Sequence, residues 1–469
     1  MADKKEKLFY QQKNAYDLIS EEERKACYEY CEGYKKFLDN SKTERLSVKY
    51  SIALAEKEGF KPYVPGMDIK AGDRLYFNSR GKALYLAVIG KRPLGDGMNI
   101  SAAHIDSPRL DLKPVPLYED SELAFFKTHY YGGIKKYQWV AIPLELYGTV
   151  ALKDGSTVEI SIGDKPDDPQ LVITDLLPHL GADQMKKTLS EAFTGEGLNI
   201  LIGSRPDKET EGSDRVKMTV MSILNEKYGI VEEDFLSAEL EAVPAYSARD
   251  LGLDRSMIGA YGHDDRSCAY AALAAILETK APEKTALCVL ADKEEIGSEG
   301  LTGMKSRSFE WFIGSLCEKQ EVRLEDCFAN SFCLSADVCN AFDPNYPEVS
   351  EKRNNAKLNY GTAILKFTGV RGKGGSSDAC AETIGKLRAL FEKGGVVWQM
   401  AELGKVDQGG GGTVAKFMAE RNIETVDAGV PVFSMHAPYE VVAKIDCFMT
   451  YKAVKALYLY NNCDDTDKD

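Results

Sequence analysis

The spacing of apolar and polar positions changes several times along the chain. Over residues 17–38, apolar side chains recur at three- and four-residue intervals among acids and lysines with no proline, which predicts helices across about residues 14–58. From Asp73 the period shortens. Residues 74–77 and 83–89 read as strands around the turn Asn78-Ser79-Arg80-Gly81-Lys82, and residues 98–103 as a further buried strand. Residues 285–290 form an apolar run with neither alternation nor turn residue, the pattern of a strand covered on both faces of a parallel sheet. Residues 332–336 and 430–435 have the same texture, and residues 268–277 predict a buried helix. The stretch from Pro108 to about Val243 differs. It is rich in β-type residues and turns, with strand signals at 144–150 and 158–162 and a loop at 163–169.

These elements predict an α/β fold: a mixed, largely parallel sheet flanked by helices, with a β-rich domain inserted. The expected boundaries are 1–107 and 246–469 for the two parts of the main domain and 108–245 for the insertion. No internal repeat or low-complexity tract interrupts the chain, and its acidic tail from Asn461 reads as frayed.

Polar chemistry is concentrated where the core strands end. The run ending at Leu290 breaks into Ala291-Asp292-Lys293-Glu294-Glu295-Ile296-Gly297-Ser298, which delivers carboxylates to the C-terminal edge where open α/β sheets bind ligands. Adjacent glutamates held in a cleft repel unless a cation or a shared proton compensates, and a divalent metal supplies that compensation. The strand over 98–103 ends in His104-Ile105-Asp106, that over 332–336 in Asp337, and that over 430–435 in His436. Taken singly, each has an ordinary reading: a lone histidine is usually a packed residue, Asp264-Asp265 suits a helix N-cap, and Asp337 suits a turn. Taken together they do not. The chain has only 5 histidines, and two of them end apolar strands alongside Asp264, Glu295 and Asp337. That is a mixed nitrogen and oxygen donor set suited to zinc or cobalt. Two metals sharing one carboxylate need two histidines, a bridging acid and two further acids, which leaves Glu294 as a base.

Composition narrows the partners. The 469 residues, 44% hydrophobic and 28% charged, are ordinary for a globular enzyme, and the net charge of -14 offers no basic surplus for a nucleic acid. No apolar run approaches the roughly 20 residues that span a bilayer, and Met1-Ala2-Asp3-Lys4-Lys5 leads into no signal-peptide core, so a cytoplasmic protein without membrane attachment is expected. The 11 cysteines lack CxxC spacing, and most of them read as buried thiols.

The segments Ala102-Ala103-His104-Ile105-Asp106-Ser107-Pro108-Arg109, Gly262-His263-Asp264-Asp265-Arg266, Asp292-Lys293-Glu294-Glu295-Ile296-Gly297-Ser298, Ser335-Ala336-Asp337, Asp343-Pro344-Asn345-Tyr346 and Met435-His436 closely resemble the aspartyl aminopeptidase/aminopeptidase I family of cytosolic dinuclear metallopeptidases. The resemblance spans nearly the whole chain in the family's order, inserted domain included. It implies hydrolysis of the N-terminal residue from peptides with a free N-terminus, using two divalent ions, zinc first with cobalt and manganese as alternatives. Asp264 then bridges the ions, His104 and Asp337 complete one site, and Glu295 and His436 complete the other. Glu294 matches the general base and Asp106 the carboxylate that orients the first histidine. The inserted domain is implied to mediate dimerisation, and the dimers to build a larger homo-oligomer such as a dodecamer. His179, in Leu177-Pro178-His179-Leu180, matches a loop that enters a neighbouring subunit's active site. Lys373, in Gly369-Val370-Arg371-Gly372-Lys373-Gly374, falls where the family lines its substrate pocket, and the preferred N-terminal residue stays open.

Three other functions are weighed against this one. Gln408-Gly409-Gly410-Gly411-Gly412-Thr413 before a helical stretch suits a phosphate cradle, but it lacks the lysine-serine/threonine ending of a P-loop. A dinuclear amidohydrolase or deacylase acting on a non-peptide amide uses the same ligands. An inactive oligomeric scaffold is disfavoured by the intact base and ligand set.

Overall fold

The computed structural model describes residues 8–461, so the first seven residues and most of the acidic tail lie outside the described part. The described chain divides into two compact units, one of residues up to 106, 248–435 and from 440 on, the other of residues 107–247 together with 436–439.

The first unit is built on a nine-stranded sheet. Its strands in chain order are β1 (Lys61–Pro62), β2 (Arg74–Ser79), β3 (Ala83–Val88), β4 (Met98–His104), β5 (Thr285–Ala291), β6 (Phe332–Ser335), β7 (Thr362–Leu365), β8 (Trp398–Met400) and β9 (Glu424–Gly429). Across the sheet the order is β1-β2-β3-β5-β4-β6-β9-β7-β8. The central run β5-β4-β6-β9 is parallel throughout, while β2-β3, β3-β5 and β9-β7 are antiparallel. A mixed α/β sheet results.

Both faces are covered, and the pleat of each strand divides its side chains between two cores. Leu84, Leu86, Val88, Ala286, Cys288 and Leu290 enter one core, with the helices Glu21–Asn40, His263–Glu278 and Lys444–Tyr458. Their neighbours Tyr85, Ala87, Leu287, Val289 and Ala291 enter the other, with the helix Ser308–Glu318. This double coverage is why residues 285–290 show no polar alternation. The helix Glu21–Asn40 starts where Ser20 and Glu23 form a reciprocal capping box, and three glutamates occupy its first turn beside the positive end of the helix dipole.

A second, five-stranded sheet in this unit joins distant segments: Arg249–Leu251, Met257–Ala260, Glu440–Ala443, Pro431–Phe433 and Cys339–Asn340, in that order. The run over 430–435 therefore contributes only Pro431–Phe433 as a strand, and it belongs to this smaller sheet. Its end turns sharply, with left-handed backbone at Ser434 and His436.

The second unit is an antiparallel seven-stranded sheet in the order Ala238–Pro244, Arg109–Asp120, Leu123–Tyr131, Ile200–Gly203, Leu171–Val172, Pro143–Ala151 and Thr157–Ile162. Ala238–Pro244 also pairs with Pro143–Ala151 over seven residues, which closes the first six strands into a barrel and leaves Thr157–Ile162 outside the ring. Gly148 lies at that seam, where a Cβ would fall 1.9 Å from the Glu239 carbonyl oxygen, so only glycine permits the approach.

No helix among the described residues is long and apolar enough to cross a membrane.

Candidate metal centre

Parallel pairing brings three strand ends to one edge of the large sheet. Ala291 at the end of β5 is level with His104 at the end of β4, and Ser335 at the end of β6 is level with Ala102. The polar residues lie at these ends or within four positions of them: His104 and Asp106, Asp292 to Glu295, and Asp337. The fourth contribution comes from the start of the helix His263–Glu278, where Asp264 (φ -81°, ψ 108°) and Asp265 (φ -114°, ψ 28°) depart from helical geometry.

His104 lies at the middle of the cluster. Its Nε2 is 3.2 Å from Asp264 Oδ1, and 3.9 Å from both Asp337 Oδ1 and Glu294 Oε2. Its Nδ1 is 3.0 Å from the Asp106 carbonyl oxygen. A carbonyl only accepts, so Nδ1–H donates to it, and Nε2, the nitrogen that faces the carboxylates, is the one that would ligate a metal with the ring neutral. The Asp106 carboxylate holds a second element: the backbone N–H of Glu294 donates to its Oδ1 at 3.1 Å and that of Glu295 to its Oδ2 at 3.2 Å. One buried side chain thereby fixes the short turn Glu294–Ile296, which a left-handed Lys293 introduces. Asp106 is fully buried, His104 and Asp264 nearly so, and Glu294 and Glu295 are half-buried.

Two groups of donors have ligand atoms all within 4.8 Å of one another: His104 with Asp265 and Asp337, and His104 with Asp264 and Glu295. His104 is common to both. The electrostatics are those of a site short of positive charge. Burial, with Asp265 close by, pushes the Asp337 carboxyl well above the usual range, and burial does the same to Asp265. Burial alone lowers His104, but Asp106 and Asp264 together lift it well above an ordinary imidazole. Buried carboxylates held this close together around one imidazole fit one or more divalent cations, which remove the repulsion and favour the ionised acids. Oxygen donors with one imidazole suit zinc.

Asp265 is the member that sequence reading passed over, because an acid pair opening a helix reads as capping. Its Oδ2 accepts the His104 backbone N–H at 3.3 Å. Gly429 is another such residue. A Cβ there would fall 1.9 Å from the Asp337 carbonyl oxygen, so a bare backbone lets Asp337 pack against the end of β9.

The other sequence candidates have their own surroundings. His436 groups with the second unit, where its Nδ1 lies 2.8 Å from the Gly133 carbonyl oxygen. His179 is exposed on a turn closed by the Leu180 N–H and the Leu177 carbonyl. Lys373 pairs with Asp378 at 3.1 Å and its ammonium sits 3.8 Å from the centre of the Phe367 ring, so its charge is engaged within its own loop. In the glycine-rich stretch, the Gly411 carbonyl accepts the Gly369 N–H, and Thr413 donates to Asp427 at 2.8 Å. The helix that follows, Ala415–Ala419, is only five residues long.

Comparison with known proteins gives a consistent result. The family described as aminopeptidase I zinc metalloprotease (M18) matches residues 37–458. A probable M18 family aminopeptidase 1 of Clostridium acetobutylicum is 49% identical over 457 residues, covering 96% of this chain and 98% of that protein. The crystal structure of an M18 family aminopeptidase from Thermotoga maritima superposes with a TM-score of 0.92 at 44% identity, covering 96% of this chain and 99% of that one. That of aminopeptidase I from Clostridium acetobutylicum gives 0.90 at 46% identity, covering 97% and 100%.

Proposed function

This chain belongs to the aminopeptidase I zinc metalloprotease family (M18) and is a metal-dependent aminopeptidase, and we propose that it works with two divalent ions, zinc in the first instance, and with the residues assigned below. The observation that carries the assignment is the convergence of His104, Asp264, Asp265, Glu295 and Asp337 at one sheet edge as two donor groups, with Glu294 beside them 3.9 Å from His104. Asp264 is the proposed bridge, with His104 and Asp337 on one ion and Glu295 and His436 on the other. Asp265 joins the first group as an added donor.

When bound, the ions supply Lewis acidity, polarising the substrate carbonyl and acidifying the attacking water. Glu294 takes the proton of that water and returns it to the departing amine, a role that suits a half-buried carboxylate whose backbone is pinned by Asp106. Asp106 keeps His104 in the ligating tautomer. Lys373 is the proposed contact for an acidic substrate side chain, which must then displace Asp378. The inserted barrel is the proposed dimerisation domain of a cytoplasmic homo-oligomer, with dimers building a dodecamer. In support, Leu176, Leu177, Leu180, Met185 and Leu189 are more than half exposed or at half exposure around His179, an apolar density that soluble surfaces usually cover with a partner.

The direct test measures bound metal together with hydrolysis of a panel of aminoacyl amides and N-blocked controls. About two ions per chain and cleavage of the free-amine substrates alone are expected; one ion per chain, or equal cleavage of the N-blocked controls, overturns the assignment. The trans role of His179 has its own test. His179→Ala and Glu294→Gln proteins, each nearly inactive alone, should recover part of the activity after subunit exchange, since mixed oligomers contain sites with both residues intact. No recovery after demonstrated exchange leaves His179 as an ordinary loop residue.

A further inference from the structure

The corner that carries Asp264 is held by side chains from two remote elements and by one carbonyl of the adjoining strand. The strand Met257–Ala260 ends at Ala260, and a left-handed Gly262 (φ 77°) turns the chain into His263 and Asp264. Antiparallel pairing sets Ala260 opposite Glu440, the first residue of Glu440–Ala443. From there Glu440 Oε2 accepts the backbone N–H of Asp264 at 3.0 Å. Glu440 is 1% exposed, so this acceptor is withdrawn from water. The adjoining residue is held as firmly. His263 is fully buried, with Nε2 3.1 Å from the Ile258 carbonyl oxygen and Nδ1 2.6 Å from the Tyr34 hydroxyl. Because the carbonyl only accepts, Nε2–H donates to it and the Tyr34 hydroxyl donates to Nδ1.

This arrangement has a consequence for the centre. Asp264 is the second residue of its helix, where no N–H has an acceptor within the helix, so its N–H needs one from elsewhere. Glu440 supplies it, and in doing so sets the direction in which the Asp264 carboxylate leaves the chain. We propose that Glu440 is a positioning residue for the metal centre: its buried carboxylate, together with the Tyr34–His263 pair, fixes Asp264 for ion binding. It does so without ligating an ion itself. The inference rests on Asp264 being a ligand, as proposed above.

The test compares Glu440→Leu, which keeps most of the volume without an acceptor, with Glu440→Gln, whose amide oxygen still accepts the Asp264 N–H. Metal affinity is read by titration of the purified protein with zinc against a competing chelator, and kcat and KM are read at saturating zinc. Glu440→Leu should bind zinc about 10- to 100-fold more weakly, the usual cost of losing a group that orients a ligand. Its kcat should fall with KM little changed. Glu440→Gln should restore most of the affinity. If Glu440→Leu does not fold, Glu440→Asp, which keeps the charge but withdraws the acceptor by one methylene, should show the same weakening. Wild-type affinity in the folded Leu variant, or in the Asp variant, overturns the inference, as does a Gln variant no better than Leu. Failure of the underlying assignment looks different: Asp264→Asn then binds zinc as tightly as wild type.

Discussion

Glu294→Gln is expected to keep its full complement of metal and to lose about two or more decades in kcat, the range that removal of a general base produces. The substitution is nearly isosteric, and the Glu294 backbone N–H stays on Asp106, so the turn Glu294–Ile296 should keep its place. What disappears is the proton acceptor. Because Glu294 Oε2 is 3.9 Å from His104 Nε2, the side chain faces the same space as the ligands without being the nearest of them; that distance to Asp264 is 3.2 Å. Metal content by elemental analysis and kcat on an aminoacyl amide decide the matter in one preparation. Activity close to wild type would remove Glu294 from the role of base, and loss of metal would make it a ligand instead.

Asp106→Asn is expected to weaken zinc binding by about 10- to 100-fold and to lower kcat, with little change in overall secondary structure. The reason is the number of groups this carboxylate serves. Its two oxygens accept the N–H groups of Glu294 and Glu295, and Oδ1 also lies 3.4 Å from His104 Nδ1. An asparagine keeps one acceptor oxygen and turns an NH2 toward an N–H donor, so one buried donor loses its partner. Leaving a buried polar group unsatisfied costs about 1–3 kcal/mol, and the turn can escape that cost only by moving, which carries Glu294 and Glu295 with it. Competition with a chelator measures the affinity, and circular dichroism checks the fold. Unchanged affinity would show that the imidazole and the turn are placed by their surroundings without Asp106.

The two substitutions separate chemistry from placement. Glu294→Gln acts on turnover at constant metal, whereas Asp106→Asn acts first on metal. Glu440 belongs with the second kind but reaches the site through Asp264.

The sequence by itself determined which residues the core strands carry to their ends. A strand buried on both faces has no solvent side, so it reads as an unbroken apolar run, and the first polar residue after it marks the sheet edge. That is how His104, Glu294, Glu295 and Asp337 were legible, and the structure gathers them around His104 Nε2 and in the two donor groups. The helical start of the chain and the β-rich texture of the middle stretch were legible for the same reason, since periods of 3.6 and 2 are local properties.

Tertiary structure alone decided the rest. Nothing local pairs Ala238–Pro244 with Pro143–Ala151 to close the barrel, or sets Glu440 opposite Ala260 in the small sheet. Asp265 looks like any helix-capping acid until the backbone at Asp264 is seen to leave the helical region and His104 N–H is found on its carboxylate. His436 follows an apolar run as His104 does, yet its neighbours 436–439 group with the other unit. Each of these depends on a partner far away in the chain. Such partners are chosen by register, by the need of every buried N–H for an acceptor, and by which faces pack together, none of which has a period that a sequence window can record.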